Sequence, residues 1–280
     1  MKPAFAIFLA APLLTYAAHA GLKTDIEYGR AGGEVLRLDA NVPDGAGPFP
    51  VVIAIHGGGW CAGDKSGIGD FAPVLKLLTT NQFTWFSIDY RLGPTNRWPA
   101  GFEDVQTAIR WVKAHAAEYK GDPDHIALLG YSAGGHLVCL AATLAQADTQ
   151  VQAVVGLAPP TDLFADAGNR GGIGRWSSMR NLLGRNSMNG ETLRLLRQIS
   201  PITHVKPGLP PFLLMQGDSD ETVLPPFTRS FAVRLRENGV PCRLYFLKGA
   251  GHRIADWEKF DPDWQPELVA WLNQMLPVKK

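Results

Sequence analysis

Short apolar segments recur along this chain and alternate with longer segments of helical period. Seven strands are predicted, at residues 34–43, 49–55, 84–90, 126–130, 151–157, 211–215 and 243–247. Apolar residues at helical spacing predict helices over residues 101–120, 133–147, 227–237 and 266–275. Strands that are apolar nearly throughout, as most of these are, are typical of parallel sheets covered on both faces. The alternation therefore predicts one doubly wound α/β domain over residues 21–280.

One long connection interrupts this alternation between residues 161 and 210. It contains two short segments of helical character, near residues 175–183 and 191–199. Connections of this length in a compact fold are usually functional and often form lids, so we expect a cap segment over about residues 161–210. The segment carries six arginines, Arg170, Arg175, Arg180, Arg185, Arg194 and Arg197. The first four recur every five residues, which distributes them around a helix and favours a solvated surface over an anion-binding patch.

The first twenty residues have the three parts of an export signal. Lys2 provides a positive start, residues 4–14 form an apolar run, and Ala18-His19-Ala20 has the small-x-small pattern of a cleavage site. Spanning a bilayer takes about 20 apolar residues, so a transmembrane anchor is disfavoured. Position 21 is a glycine and not a cysteine that could carry a lipid. We therefore predict a signal peptide over residues 1–20 and a protein that is periplasmic or secreted, without a stable membrane anchor.

The composition excludes several classes of protein. The 27 basic residues are balanced by 26 acidic ones without a dense basic block, which argues against a nucleic-acid partner. An apolar fraction of 46% with a net charge of +1 excludes intrinsic disorder. Three cysteines, Cys61, Cys139 and Cys242, are too few for a disulfide scaffold, and no cysteine or histidine cluster has zinc-site spacing. We expect neither a structural metal nor a cofactor.

The predicted strand at residues 126–130 runs into the pentapeptide GYSAG at residues 130–134 and then directly into a predicted helix. The pattern G-x-S-x-G between a strand and a helix is the signature of a nucleophile elbow. A nucleophile on so sharp a turn crowds its neighbours, so the flanking residues must be small. The N-terminus of the helix adds positive potential where negative charge develops in the reaction. The motif in this context predicts Ser132 as a catalytic nucleophile.

A second motif, HGGGW at residues 56–60, follows the predicted strand at 49–55. Three consecutive glycines allow the backbone to approach a substrate oxygen closely. An oxyanion hole needs N–H groups aimed at such an oxygen, and we expect those of Gly58, Gly59 and Ala133 to form it. His56 is expected to position this loop and not to act as a base. Trp60 either lines the acyl pocket or only packs against its neighbours.

These motifs identify a family resemblance. The chain resembles the α/β-hydrolase superfamily, in its HGGG-type serine esterase branch of hormone-sensitive-lipase-like and acetylxylan/feruloyl esterase-like proteins. HGGGW, the tetrapeptide DYRL at residues 89–92 and GYSAGGH at 130–136 stand in the family order. The resemblance covers the chain from about Glu34 to the C-terminus. The resemblance implies an eight-stranded, mostly parallel sheet with a cap between strands six and seven. It also implies a Ser-Asp-His triad in that chain order.

The implied order places the base after the last predicted strand. His252 lies there, on a loop of small residues. The other histidines fit less well, since they lie on predicted helices, before a strand or at the end of the cap: His115, His125, His136 and His204. His252 is therefore the expected general base.

The triad acid is expected after the strand at residues 211–215, where three carboxylates lie close together in the sequence. The family pattern places the acid three residues before a valine that precedes a proline, and Asp220 with Val223 matches it best. Asp218 is the second candidate, because a carboxylate in a turn can instead accept hydrogen bonds from nearby N–H groups. Asp162, after the sixth strand, is the third candidate.

Together these residues predict an exported serine carboxylic ester hydrolase that works through an acyl-enzyme. Short-chain esters or acylated plant-wall saccharides are the expected substrates, and export agrees with a substrate derived from a polymer. The cap lacks the long apolar helices of a lipase lid, which argues against activity at lipid interfaces. The same triad serves an amidase, an arylformamidase-like enzyme or a small exopeptidase-like enzyme, so these remain alternatives. A hydrolase-fold binding protein without activity is the alternative outside catalysis. That interpretation predicts a lost serine, histidine or glycine, and none of these residues is lost.

Overall fold

The computed structural model describes residues 21–67 and 69–277. One sheet contains eight strands: β1 (Gly21–Ala31), β2 (Glu34–Val42), β3 (Phe49–Ile55), β4 (Thr84–Ile88), β5 (Gly121–Tyr131), β6 (Ala153–Leu157), β7 (Phe212–Gly217) and β8 (Cys242–Leu247). Their order across the sheet is β1-β2-β4-β3-β5-β6-β7-β8. The pairs β1–β2 and β2–β4 are antiparallel and the remaining pairs are parallel. The α/β-hydrolase fold with an eight-stranded, mostly parallel sheet is thereby confirmed.

The described residues contain eight α-helices: α1 (Ala72–Thr80), α2 (Ala100–His115), α3 (Ala133–Thr143), α4 (Leu163–Asn169), α5 (Ser177–Leu183), α6 (Gly190–Gln198), α7 (Pro225–Glu237) and α8 (Trp264–Met275). Short 3₁₀ helices extend or connect them at Ala116–Tyr119, Ile173–Arg175, Pro201–His204 and Ile254–Lys259.

The central strands are apolar throughout because helices cover both faces of the sheet. In β3, Val51, Ile53 and Ile55 pack in a core that includes α2, α3 and α7. Val52 and Ala54 alternate with them and pack in a second core that includes α1 and α8. Because the strands β3 to β8 run parallel to one another, their carboxyl ends lie at one edge of the sheet. The loops that leave this edge carry the predicted site residues.

One strand and one α-helix outside the segment between β6 and β7 were not predicted from the sequence. The strand β1 lies at the edge of the sheet with most side chains at least partly exposed, so its sequence shows no apolar pattern. The helix α1 buries only Val74, Leu75 and Leu78, a pattern too short to indicate a helix. The predicted helix at 101–120 also ends earlier, since α2 stops at His115 and a 3₁₀ turn follows.

The chain between β6 and β7, where the cap segment is expected, contains three short helices, α4, α5 and α6, where two were predicted. The expectation of a solvated arginine surface is wrong for Arg170. Its guanidinium lies 4.5 Å from the ring centre of Trp176 and pairs with the buried Asp166 at 2.8 Å. Arg170 also donates a hydrogen bond of 2.7 Å to the carbonyl of Thr222, outside the cap. This arginine therefore joins the cap to the loop after β7.

Residues 1–20, with the predicted signal peptide, lie outside the described residues. Within residues 21–67 and 69–277, no helix is long and apolar enough to cross a membrane. Cys61, Cys139 and Cys242 are free thiols. No cluster of three histidine, cysteine or acidic side chains in the same part of the chain could hold a metal ion.

Candidate active site

Ser132 lies in a sharp turn between β5 and α3. Its backbone has φ 52° and ψ −118°, a conformation with positive φ that non-glycine residues rarely adopt. Hydrogen bonds on both sides hold this turn: the Ser132 N–H donates to Leu157 at 2.8 Å, and its carbonyl accepts from the N–H of His136 at 2.9 Å. The Ser132 side chain lines a cavity at the carboxyl edge of the sheet.

The two glycines of the GYSAG turn have no room for a side chain. A Cβ atom on Gly130 would lie 2.3 Å from the carbonyl oxygen of Gly134. A Cβ atom on Gly134 would lie 2.2 Å from the carbonyl oxygen of Ile55, at the end of β3. The small residues expected beside Ser132 are therefore required by backbone-to-backbone contact.

His252 joins Ser132 to Asp220. Its Nε2 lies 2.9 Å from Ser132 Oγ, and its Nδ1 lies 2.8 Å from Asp220 Oδ2. Asp220 is 2% exposed, so this carboxylate is shielded from water. The structure thus brings together three residues that are far apart in the sequence, in the arrangement of a nucleophile, a base and an orienting acid.

The Asp220 carboxylate is fixed by donors on both oxygens. Oδ1 accepts from the N–H groups of Thr222 and Val223 at 2.8 and 2.9 Å. Oδ2 accepts from the Gln216 side chain at 3.2 Å as well as from His252. These bonds leave the carboxylate one orientation, with Oδ2 toward the imidazole.

The other candidate acids make different contacts. Asp218 accepts hydrogen bonds from the N–H of Gly249 at 2.7 Å and from the Ser219 hydroxyl at 3.1 Å. Asp162 accepts from the N–H of Ala165 and so caps α4. Asp218 therefore makes the local turn contacts that the sequence left as its alternative role, and Asp162 serves as a helix cap.

The loop after β7 and the loop after β8 also touch directly. A Cβ atom on Gly217 would lie 2.1 Å from the carbonyl oxygen of Ala250, so the two backbones meet where only glycine fits. The N–H of Ser219 donates to the same carbonyl at 3.0 Å. Backbone contacts thus bring the segments that carry Asp220 and His252 together.

The HGGGW loop enters the same cavity. Gly58, Gly59 and Trp60 have φ values of 115°, 60° and 61°. The carbonyl of Gly58 accepts from the N–H groups of Cys61 and Ala62, which closes the loop on itself. Gly58, Gly59 and Ala133 line the cavity beside Ser132. The N–H of Ala133 stands in the first turn of α3, where helix geometry provides no partner inside the helix.

His56 and Tyr90 pack against each other and contact the backbone at the start of this loop. The rings stack with centres 4.5 Å apart, and the Tyr90 hydroxyl donates to the His56 carbonyl at 3.2 Å. Nδ1 of His56 lies 2.7 Å from the carbonyl of Gly57. Burial lowers the pKa of His56, so its ring stays neutral at neutral pH and serves as packing.

Two tryptophans and one tyrosine complete the walls of the cavity, which has a volume of about 280 Å³. Trp60 is 4% exposed, and it both packs against its neighbours and lines this cavity, while its contact with an acyl group stays a prediction. Trp176, from the cap, lies with its ring centre 6.4 Å from that of Trp60. The Tyr131 hydroxyl donates to the His252 carbonyl at 3.2 Å, and burial raises the pKa of Tyr131, so the hydroxyl keeps its proton. Sequence reasoning missed Trp176 and Tyr131.

Comparison with known proteins assigns the family. Residues 38–235 match the sequence profile of the BD-FAE family. The chain belongs to the BD-FAE family. It is 35% identical over 235 residues to "Probable carboxylic ester hydrolase LipM" of Mycobacterium tuberculosis, covering 79% of this chain and 52% of that protein. This BD-FAE protein thus spans about half the length of the curated relatives it matches.

Two solved structures are similar over nearly the whole BD-FAE chain. A truncated carbohydrate esterase from gut microbiota superposes with a TM-score of 0.79 at 23% identity, over 94% of this chain and 99% of that one. The Thermogutta terrifontis esterase Est2 with bound propionate superposes with a TM-score of 0.72 at 26% identity, over 97% and 100% of the two chains. Both comparisons agree with the α/β-hydrolase fold of the BD-FAE protein.

The BD-FAE protein also contains a buried histidine whose protonation state affects folding. His136 lies in α3 with no exposed surface, and burial lowers its pKa to about 4, although its bond to the Ile199 carbonyl acts in the opposite direction. The unfolded chain takes up a proton near the ordinary histidine pKa of about 6.5. Between these two values the unfolded state binds more protons than the folded state, so stability falls as the pH falls.

We predict that His136 contributes up to about 3 kcal/mol to this loss of stability between pH 6.5 and 4. The measurement is urea unfolding of the wild type and of His136→Gln at several pH values. The wild type is expected to be more stable at pH 7, and the difference should shrink as the pH falls toward 4. A difference that stays constant with pH would contradict the prediction.

Proposed function

We propose that this protein is a serine carboxylic ester hydrolase. The observation that carries the proposal is the continuous hydrogen-bonded path from Ser132 Oγ through His252 to Asp220, at the wall of a cavity that Gly58, Gly59 and Ala133 also line. The names of the relative and of the two structural neighbours, an ester hydrolase and two esterases, support the same class of reaction.

The reaction would run in two halves on these groups. Nε2 of His252 takes the proton of Ser132 as Oγ attacks the ester carbonyl, and the N–H groups of Gly58, Gly59 and Ala133 stabilise the oxyanion. His252 then donates that proton to the leaving alcohol. Water repeats the sequence on the acyl-enzyme and releases the acid. Throughout, Asp220 accepts the hydrogen bond of Nδ1–H and stabilises the imidazolium.

The size of the cavity supports short acyl groups. Trp60 and Trp176 line a space of about 280 Å³ beside Ser132, and the reacting ester group must fit within it. Est2, similar in fold, has propionate bound. Acetyl to butyryl esters are therefore the proposed substrates on the acyl side.

Initial rates on p-nitrophenyl esters from acetate to palmitate test this function. We expect the highest kcat/KM on acetate to butyrate. Ser132→Ala should lower kcat by about 10⁵-fold because it removes the nucleophile. Asp220→Asn should lower it by about 10⁴-fold because it fixes the wrong tautomer of the base.

Asp218→Asn is the matched control, since it removes a carboxylate two residues away that does not contact His252, and its kcat should stay within about threefold of the wild type. Equal losses in Asp218→Asn and Asp220→Asn would contradict the assignment of the acid. Turnover of an anilide or of N-formylkynurenine without turnover of any ester would identify an amidase. Folded protein that is silent on every substrate would favour the binding-protein interpretation.

On the alcohol side we propose an acylated saccharide. A second cavity, of about 560 Å³, shares His252 and Thr222 with the first and is lined by charged and polar side chains and by Phe260. Three large apolar side chains are exposed among the described residues, and of these only Phe260, at 50%, lines a cavity beside His252. A sugar ring can pack its C–H face on the Phe260 ring while its hydroxyls form hydrogen bonds to the charged and polar side chains around it. A saccharide therefore matches both features of this cavity.

The matched variants Phe260→Ala and Val233→Ala test the alcohol side. Val233 is also exposed, at 46%, but it lies on α7 and lines no part of either cavity. We expect Phe260→Ala to lower the ratio of kcat/KM on acetylated xylo-oligosaccharide to that on p-nitrophenyl acetate by about tenfold, because the sugar loses an apolar contact. Val233→Ala should leave the ratio unchanged. A ratio that is the same in both variants would exclude this sugar site.

We further propose that the protein is exported and cleaved before Gly21. All the described residues of the eight strands lie at or after Gly21, so cleavage before Gly21 removes none of them. The intact mass of protein recovered from the periplasm or the medium should correspond to residues 21–280. Ala20→Arg should block this cleavage and His19→Arg should not, because the cleavage pattern requires small residues at positions 18 and 20 and accepts any residue between them. An uncleaved chain in the cytoplasm would contradict export.

A further inference from the structure

One histidine outside the proposed triad connects the elbow helix to the two segments that pack on it. His136 is the fourth residue of α3 and has no exposed surface. Its Nδ1 accepts the indole N–H of Trp60 at 3.1 Å, and its Nε2 lies 2.7 Å from the carbonyl oxygen of Ile199. Because an indole N–H only donates and a carbonyl only accepts, the ring must be neutral and carry its proton on Nε2.

The first partner belongs to the loop that is proposed to hold the oxyanion. Trp60 follows Gly58 and Gly59 directly and itself has a positive φ of 61°, which is uncommon for so large a side chain. Its carbonyl accepts the N–H of Gly93 at 2.9 Å, and its ring meets the His136 ring edge-on with the centres 5.4 Å apart. Whatever orients the indole therefore also orients the backbone of the two glycines before it.

The second partner belongs to the base of the cap. Ile199 follows α6, and the next residue, Ser200, accepts the N–H groups of Leu163 and Phe164 at the start of α4. The bond to the Ile199 carbonyl keeps the proton on Nε2 and so keeps Nδ1 free to accept. His136 Nδ1 can therefore accept the indole N–H of Trp60 only while the Ile199 carbonyl, at the base of the cap, accepts the Nε2–H of the same ring.

We propose that His136 is a positioning residue for ester hydrolysis, which holds the HGGGW loop through the Trp60 indole so that the N–H groups of Gly58 and Gly59 face the oxyanion. The inference rests on the proposed function. His136 touches neither the substrate nor the triad side chains, and it acts through the loop alone.

Two substitutions with amide side chains each keep one hydrogen bond of His136 and remove the other. In His136→Asn the amide oxygen takes the place of Nδ1, so the acceptor for Trp60 is kept and the bond to Ile199 is lost. In His136→Gln the amide nitrogen reaches the place of Nε2, so the bond to Ile199 is kept and the acceptor for Trp60 is lost. Trp60→Phe removes the donor from the other side and keeps an aromatic ring.

With p-nitrophenyl acetate, we expect His136→Gln and Trp60→Phe each to lower kcat by about 30-fold, because misplaced oxyanion donors cost rate even when the substrate still binds. His136→Asn should stay within about threefold of the wild type. The double variant His136→Gln/Trp60→Phe should be no more than about twofold slower than either single variant, because both remove the same bond. Affinity for a trifluoromethyl ketone, whose serine adduct carries an oxyanion, should fall by the same factor as kcat.

His115→Asn and His115→Gln provide a matched control pair. His115 also packs on a tryptophan, Trp111, with ring centres 4.4 Å apart, but it ends α2 and lines no part of the site. Both changes should leave kcat unchanged.

Equal losses in His136→Asn and His136→Gln, or losses that multiply in the double variant, would overturn the inference. If His136→Gln fails to fold, Trp60→Phe still decides, since an unchanged kcat in that variant also overturns it. A wild type that hydrolyses no ester would refute the proposed function, whereas an active wild type with equal histidine variants would refute only the role of His136.

Discussion

The close approach of α3 to the end of β3 determines the geometry of the site. At Gly134 the helix backbone meets the carbonyl of Ile55 so closely that a single methyl group would not fit. This contact places the first turn of the helix, with Ser132 and the free N–H of Ala133, beside the loop that begins one residue after Ile55. Ser132, the proposed nucleophile, and the proposed donors Gly58 and Gly59 therefore share one cavity as a consequence of one backbone contact.

A backbone contact also brings together the loops that carry Asp220 and His252. Gly217, at the end of β7, and Ala250, after β8, meet through their backbones, and Asp218 accepts a hydrogen bond from Gly249. Asp220 is then oriented by N–H groups of its own loop. Parallel strands that end at one edge supply these loops, so residues that are 120 positions apart, as Ser132 and His252 are, come within hydrogen-bond distance.

The parts of this arrangement that depend on local sequence could be predicted. The strand, turn and helix around Ser132 follow from small residues and apolar patterns, and the central strands follow from burial on both faces. The strand β1 could not be predicted because an edge strand with few buried residues has no apolar pattern. The choice between Asp220 and Asp218 rested on a family pattern, since both carboxylates fit a turn and only three-dimensional contact distinguishes them. The position of Trp176 and the packing of Arg170 on it depend on the tertiary structure of the cap, and the local sequence contains no pattern that predicts this contact.

The backbone contact between Gly217 and Ala250 has a consequence for how such a protein can change over evolution. The loops that carry Asp220 and His252 are joined by backbone groups that lie outside the proposed triad. A lineage can therefore lose turnover through one side-chain replacement and keep the shape of its pocket. Recognition of a ligand and conversion of that ligand are separable properties of this scaffold, and a descendant can retain the first as a receptor after it has lost the second.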